Sequence, residues 1–534
     1  MMVDLALING RVWTGNPLRP RAEALAVRCG TIIEVGATAE IKGLVTEDTE
    51  IVDLAGALVL PGFTDAHTHF LDGGSALRRV DLRGAKSREE FAARIASRAR
   101  DLGPGRWVLG GGWDERGFDT AEPPRREWID AATAENPVCV NRIDLHSVLA
   151  NSAALRIAGI TGRAPDPDGG RIVKDPLTGE PTGLLREAAA DLVLAKIPEP
   201  SFAEKLEAAG AALRHAAGFG VTAVHEMADA SSLEAFAEMD RRGALTARVH
   251  VYVPISEAGV IARLKLRPPF GSQALKLAGL KGFVDGSLGS GTACFCEPYD
   301  DEPASSGLFH GQMFPQGIME ERIMEADRAG LPLAIHAIGD RANRVLLDMY
   351  EKAMTANGPR DRRWRIEHAQ HLRPEDILRF GRLGLAASVQ PAHLVDDGCW
   401  AERKIGPGRA RTTYAFRSLR DAGARLVFGS DWSVAPIDPL IGIQAAVTRR
   451  TKDGKNPGGW VPEEKVSVED AVRAYTVNAA WAGFVEGERG TIEAGKLADL
   501  VVLDRDIFAI PAEEIAGVKV LMTVFDGRIV YGKD

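Results

Sequence analysis

The stretch Ala57-Leu58-Val59-Leu60-Pro61-Gly62-Phe63-Thr64-Asp65-Ala66-His67-Thr68-His69 runs from an apolar segment through a Pro-Gly break to two histidines two residues apart. Extended backbone repeats its side-chain direction every second residue, so both imidazoles share one face. At the end of a barrel strand they converge on one point, the geometry in which imidazoles hold a divalent metal. A lone His-X-His also arises on ordinary solvated strands, so its meaning depends on what the rest of the chain places beside it.

Eight apolar runs read as strands: Leu58–Ala66, Val221–Glu226, Arg248–Val253, Gly279–Val284, Pro332–Ala337, Trp364–Ala369, Leu385–Gln390 and Arg425–Ser430. Most are separated by segments with helical spacing, among them Ser201–Ala217 and Ser231–Arg242, and Ser433 to Arg450 follows the last one. Eight strand-helix alternations predict the α/β class and a (β/α)8 TIM barrel. Both chain ends have another texture, short apolar runs between glycine-bearing turns such as Leu5–Ile8, Thr31–Val35, Leu500–Leu503 and Val518–Phe525. Short strands with one apolar face need a covering sheet, so residues 1–57 and 488–534 are expected to form one small β-sandwich domain beside a barrel of 58–487. The stretch from Gly73 to Gly210 is too long for a loop and holds strand-like runs at Arg106–Leu109 and Pro137–Ile143. It reads as a large insertion after barrel strand 1, a cap region over residues 73–210.

Composition narrows the function classes. With 534 residues, 45% hydrophobic and 26% charged, the chain is an ordinary globular one. A net charge of −9 offers no basic stripe for nucleic acid and no polybasic membrane patch, which leaves a small-molecule substrate as the expected partner. The five cysteines are odd in number and lack Cys-X-X-Cys spacing, which suits a reducing, cytoplasmic setting. No leader pattern and no run of 18 uncharged apolar residues is present, so no membrane partner is expected. Nothing in the sequence sets the oligomeric state, a homodimer included.

Active sites of such barrels lie at the C-terminal strand ends. The first expected strand leads into His67 and His69, the fourth carries Lys281, the fifth ends in His336, the sixth in His368, and the eighth runs into Asp431. Each has a structural reading: His336 or His368 as a satisfied core histidine, Asp431 as a helix N-cap, Lys281 as a salt-bridged lysine. Their coincidence at equivalent strand ends points to a metal centre instead. Lys276 competes with Lys281 but lies too early in its strand.

These residues sit in motifs that resemble the amidohydrolase superfamily: Val59-Leu60-Pro61-Gly62-Phe63-Thr64-Asp65-Ala66-His67-Thr68-His69 and Gly495-Lys496-Leu497-Ala498-Asp499-Leu500-Val501. Gly111-Gly112-Trp113-Asp114, Asp144-Leu145-His146 with Asn151, Ala334-Ile335-His336-Ala337-Ile338-Gly339-Asp340, Arg365-Ile366-Glu367-His368-Ala369-Gln370 and Gly429-Ser430-Asp431 are similar to the family 3 branch, which includes N-substituted formamide deformylases and YtcJ-like proteins. The resemblance implies two divalent metal ions, expected to be zinc, bridged by hydroxide and by Lys281 carboxylated on its side-chain nitrogen. In that reading His67, His69 and Asp431 hold the more buried ion, and His336 with His368 the outer one.

A metal in such a site lowers the pKa of bound water to about 7 and polarises a carbonyl. Asp431 is then the expected catalytic base, passing a proton to the leaving amine. The expected reaction is hydrolysis of a non-peptide C–N bond, amide, N-acyl or N-formyl, in a small molecule. In the insertion, His146 is a second catalytic candidate, and Trp113, Asp144 and Asn151 are candidates for substrate binding; Trp113 can also be core and Asn151 a helix cap. His225 or its neighbour Glu226 could also approach the site. Two alternatives stay open: a mononuclear deaminase or cyclic-amidine hydrolase, which has no need of the lysine, and a non-catalytic barrel scaffold.

Overall fold

The structure is a computed structural model that describes residues 3–119, 122–143 and 146–532. Eight parallel strands pair in chain order: β1 (Phe63–Thr68), β2 (Val221–Met227), β3 (Arg248–Pro254), β4 (Leu275–Phe283), β5 (Leu333–Ala337), β6 (Arg365–His368), β7 (Ala386–Val389) and β8 (Arg425–Phe428). Nearly all their residues are buried, as in a sheet covered on both faces, with apolar side chains making up most of β2, β3, β4 and β5 and buried polar groups interrupting β1 and β6. β8 returns to β1 through the chain just beyond it, where Asp431 N donates to His67 O at 2.8 Å and His69 N to Trp432 O at 2.6 Å. That contact nearly closes a (β/α)8 barrel and joins the two ends of the site. Helices Ala230–Arg241, Ile318–Arg328, Asp340–Asn357, Pro374–Leu383 and Pro439–Thr448 fall between or after the strands.

The first strand differs from the sequence expectation. Leu58–Pro61 belongs to another sheet, paired antiparallel with Leu500–Leu503 and parallel with Arg11–Trp13, and the barrel strand begins only at Phe63. Gly62 makes the switch: its N–H donates to Asp499 O at 2.8 Å. A Cβ there would meet Thr222 Oγ1 at 2.1 Å, so only glycine lets β2 approach so closely.

That six-stranded sheet is completed by Val520–Phe525, Arg528–Tyr531 and Arg21–Ala22, and a four-stranded sheet is formed by Leu5–Ile8, Ala24–Arg28, Thr31–Gly36 and Glu50–Asp53. Leu7, Leu25 and Val27 from the second sheet share one apolar core with Val12, Val59, Leu500 and Val524 from the first. Asp499 ties this layer to the barrel through a buried bidentate pair with Arg248 of β3, at 2.6 and 2.9 Å.

Residues Asp72–Ala211 form a second compact unit. It has its own sheet, Gly170–Lys174, Pro181–Glu187, Ser147–Ala150, Val138–Arg142, Val108–Trp113 and Val80–Asp81 in spatial order. Phe91, Phe118, Trp128 and Trp113 pack edge-on in its core.

Candidate metal centre

His67, His69, Lys281, His336, His368 and Asp431 all line one cavity of about 770 Å³. The strand order explains the meeting: His67 is on β1, Lys281 on β4, His336 on β5, His368 at the end of β6, and Asp431 follows β8. The His67 and His368 ring centroids are 5.0 Å apart, those of His336 and His368 4.5 Å, and those of His67 and His69 5.9 Å. His368 and Asp431 turn into the cavity on left-handed backbone, with φ of 71° and 58°. Such conformations cost about 1–3 kcal/mol in a non-glycine residue and persist only where the surroundings enforce them, a pattern typical of functional sites.

Donor chemistry fits a divalent cation. Ligand atoms of His67, His368 and Asp431 lie within 4.8 Å of one another. Two buried polar atoms among them, His368 Nδ1 and Asp431 Oδ1, have no hydrogen-bond partner; Asp431 Oδ1 is 3.4 Å from His69 Nε2 and 3.6 Å from His67 Nε2 without bonding to either. The tight group therefore pairs His67 and Asp431 with His368, whereas His69, a third exposed, stands at the rim. β1 ends at Thr68, so His69 lies beyond the strand whose alternation placed it beside His67.

A carboxylate to which the sequence motif gave no role holds this arrangement. Glu367, fully buried, lies 2.5 Å from His67 Nδ1, accepts from Ser388 Oγ at 2.7 Å, and pairs with Arg365 Nη2 at 2.8 Å. With Nδ1–H donating to Glu367, His67 presents the lone pair of Nε2 to the cavity. His336 is oriented from its other side, Nε2 donating to Gly286 O at 3.0 Å, which leaves the Nδ1 lone pair as the one that could take a metal. Asp65 fixes the Asp431 turn to β1, accepting from Ser430 Oγ at 2.5 Å, Ser430 N at 2.9 Å and His67 N at 3.2 Å.

Electrostatics favour neutral rings at His67, His336 and His368, while at His69 the effect of burial is overcome by Asp431, which raises its pKa. Burial pushes His67 down to about 4 and His336 to about 3, in each case helped by the nearby Lys281 charge, and drives His368 well below its ordinary value. Burial opposes ionisation of Glu367, but Arg365 and His67 overcome it and bring its pKa to about 2. Lys281 is pushed down to about 8 by burial. Its Nζ lies 3.4 Å from His67 Nε2 and 4.8 Å from the centre of the Phe283 ring, and it makes no ion pair among the described residues. Lys276 instead pairs with Glu488 at 2.8 Å.

His225 Nδ1 bonds to Arg365 Nη1 at 2.7 Å and its ring stacks on His250, while Glu226 accepts from Phe70 N and from Leu71 N at 3.2 Å. Neither lines the cavity. Trp113 is only 1% exposed, inside the aromatic core of the inserted unit. Asn151 caps the helix Ser152–Ile157, accepting from Ala154 N and Val138 N at 3.0 Å each and donating to Thr133 and Asn136. The Trp113 ring is thus taken up by packing and the Asn151 amide by hydrogen bonding. His146 is exposed on the same unit, its Nδ1 3.1 Å from Glu187 Oε2. Asp144 lies outside the described residues. The segments Ser287–Gly289 and Val395–Asp397 with Trp400 supply much of the cavity wall, and His393, which the sequence reading passed over, joins them.

Known proteins resemble this chain over nearly its whole length. The chain is 40% identical over 544 residues, 99% of its length and 92% of the relative's, to Protein LONG AFTER FAR-RED 3 of Arabidopsis thaliana. It is 30% identical over 549 residues, 99% of its length and 98% of the relative's, to the N-substituted formamide deformylase of Arthrobacter pascens. An uncharacterized metal-dependent hydrolase from Pyrococcus furiosus superposes with a TM-score of 0.77 at 31% identity, over 94% of this chain and 99% of that one. A family profile described as "Amidohydrolase family" matches residues 50–531, and with the nearly closed barrel and the strand-end histidines already in place, the chain belongs to the amidohydrolase family.

Proposed function

We propose that this amidohydrolase-family enzyme hydrolyses a non-peptide C–N bond, N-formyl or N-acyl, of a small uncharged amide, with two divalent metal ions held by His67, His69, Lys281, His336, His368 and Asp431. The observation that carries this reading is the convergence of all six on one cavity, with His67 aimed by Glu367 and His336 by Gly286. Imidazole-rich ligation with oxygen anions suits zinc. Bound there, a divalent metal supplies two things: a lowered pKa for water, toward about 7, and Lewis-acid polarisation of a carbonyl.

The protein's own groups do the rest. Asp431 accepts the proton of the attacking water and returns it to the leaving nitrogen, so that the products are a carboxylic acid and an amine. Glu367, with its charge fixed by Arg365, keeps the His67 lone pair aimed inward. Phe283, Leu288, Ile338, Trp400, Pro436 and Ile441 give the cavity an apolar wall, suited to an aromatic or aliphatic amide substituent and to exclusion of bulk water. Of the flanking acids, Asp396 is paired with Lys452 and accepts from Trp400, while Asp397 accepts from the neutral Gln370 and Tyr414 and burial raises its pKa above the ordinary value, which disfavours its charged form.

Lys281 fits a carboxylated form: a buried ammonium without an ion pair is costly, whereas a carbamate brings two anionic oxygens to the cations. Formation needs the free amine, carbon dioxide adding to Nζ with loss of one proton. His146 stands as a second catalytic candidate on the inserted unit. A cytoplasmic location is supported by five cysteines that form no disulfide; no helix among the described residues is long and apolar enough to cross a membrane.

The test is metal analysis joined to a screen of N-formyl, N-acyl and cyclic amides on metal-loaded protein. The proposal expects close to two ions per chain and loss of both metal and turnover in Lys281→Ala. One ion per chain with an active lysine variant would instead identify the mononuclear deaminase-type site.

A further inference from the structure

We propose that His393 is a further catalytic residue, one that donates a hydrogen bond from its imidazole to the carbonyl oxygen of the scissile amide. The inference rests on reading the cavity as an amide-hydrolysing site.

His393 comes from β7, a strand to which the sequence assigned no chemistry. Beyond Val389 the chain enters the short helix Pro391–Asp397, and His393 lies within its first turn, its N–H donating to Gln390 O at 3.2 Å. The side chain lines the same cavity as His67, His368 and Asp431. Its ring lies 6.4 Å from that of His368 at an interplanar angle of 22°.

Two alternatives are unfavourable. A histidine whose ring is fully used by the fold, such as His371, has both nitrogens engaged: Nδ1 lies 2.8 Å from Thr413 Oγ1 and Nε2 3.1 Å from Gln370 Nε2. His393 Nε2, by contrast, is buried and has no hydrogen-bond partner. An unpaired polar atom in such a place costs about 1–3 kcal/mol, a penalty that a ligand in the cavity can remove. A ligand role in the tight three-donor group also fails, since that group consists of His67, His368 and Asp431.

The helix that carries His393 is held against the ligand strand. Asp397, one turn on, accepts from Gln370 Nε2 at 2.8 Å and from Tyr414 Oη at 2.6 Å, and Gln370 lies two residues beyond His368. Lys452 N donates to Val395 O at 3.0 Å from the other side. His393 is thus fixed relative to His368 before substrate arrives, as a donor must be to favour the transition state over the ground state. No bond to His393 forms or breaks: as water adds to the carbonyl carbon, negative charge grows on the oxygen and the existing hydrogen bond strengthens.

The experiment uses full-length, metal-loaded protein with formanilide and acetanilide as probes, and compares wild type with His393→Ala and His393→Gln. Metal per chain and thermal midpoint are measured beside kcat and KM. The expected result is unchanged metal content, a kcat lower by about 10²–10³-fold in the alanine variant with KM changed only a few-fold, and partial recovery in the glutamine variant, whose amide can still donate. Turnover of His393→Ala within about twofold of wild type overturns the proposal. Loss of metal from both variants also overturns it, because His393 would then be a ligand. A wild type that cleaves no amide in the broader screen removes the proposed activity and this inference with it, an outcome distinct from the other two.

Discussion

Replacing Glu367 by glutamine gives the sharpest test of the wall behind the metal centre. The carboxylate faces three donors, His67 Nδ1, Ser388 Oγ and Arg365 Nη2. Glutamine keeps one oxygen and turns an NH2 toward at least one of them, so a charge-assisted bond becomes a donor facing a donor. It also strips the counter-charge from Arg365, which is 1% exposed. Breaking a buried ion pair by removing one partner costs about 3–5 kcal/mol. The second effect is on His67, whose Nδ1 loses the anion that fixes the ring, and such a change lowers metal affinity about 10–100-fold, or about 1.4–2.8 kcal/mol. The two effects separate by assay. Urea unfolding of metal-free protein reads the first, and zinc titration against a competing chelator reads the second. A further variant, Arg365→Met with Glu367→Leu, removes both charges at once; it should recover at least half of the lost stability, since an apolar pair can replace a buried ion pair at little cost, while metal affinity stays low. A single Glu367→Gln variant within about 1 kcal/mol of wild type and with unchanged zinc affinity would refute the reasoning on both counts.

Two further perturbations probe the same region. A Cβ on Gly429 would lie 2.6 Å from His67 N and 3.0 Å from Asp65 Oδ1, so Gly429→Ala should push the Asp431 turn off β1, destabilise the protein by about 1–3 kcal/mol and lower metal content; a variant with wild-type stability and metal content would contradict that packing. Burial depresses His371 to about 3 from its ordinary 6.5, so its contribution to stability is complete above pH 6.5 and is lost as pH falls toward 3. In metal-free protein, His371→Asn should therefore lose the corresponding slope, at most about 1.4 kcal/mol per pH unit between pH 6 and 4, and parallel stability curves for variant and wild type would exclude the assignment.

The barrel was legible because its strands are buried on both faces and its polar residues gather at the C-terminal ends, which is where the structure places His67, Lys281, His336 and His368. The division at Gly62 was less legible: Ala57 to Phe63 is apolar throughout, and hydropathy cannot show that Leu58–Pro61 and Phe63–Thr68 lie in different sheets. The Pro-Gly pair was the sign, since Pro61 lacks an N–H and Gly62 sits where a side chain would strike Thr222. In the inserted unit, motif spacing suggested chemistry for Trp113 and Asn151, but a tryptophan in an aromatic cluster and an asparagine at a helix start are equally what packing and capping demand, and those demands decide their positions.

Glu367 was visible in principle. Arg365-Ile366-Glu367-His368 places opposite charges two residues apart on a short, fully buried strand, and two charges on one face of a buried parallel strand must find partners. They find each other, and then Ser388 on the neighbouring strand β7 and His67 on β1, far away in sequence, pairings that no local pattern specifies. The same limit hid His393, because an imidazole on a short helix after β7 carries no periodic signal until the fold sets its ring beside His368. Candidate ligands repeated at strand ends can be read from order along the chain, since the barrel converts that order into position. The groups that aim those ligands act across the barrel, between residues as far apart in sequence as 67 and 367, and only closure of β8 onto β1 brings them together.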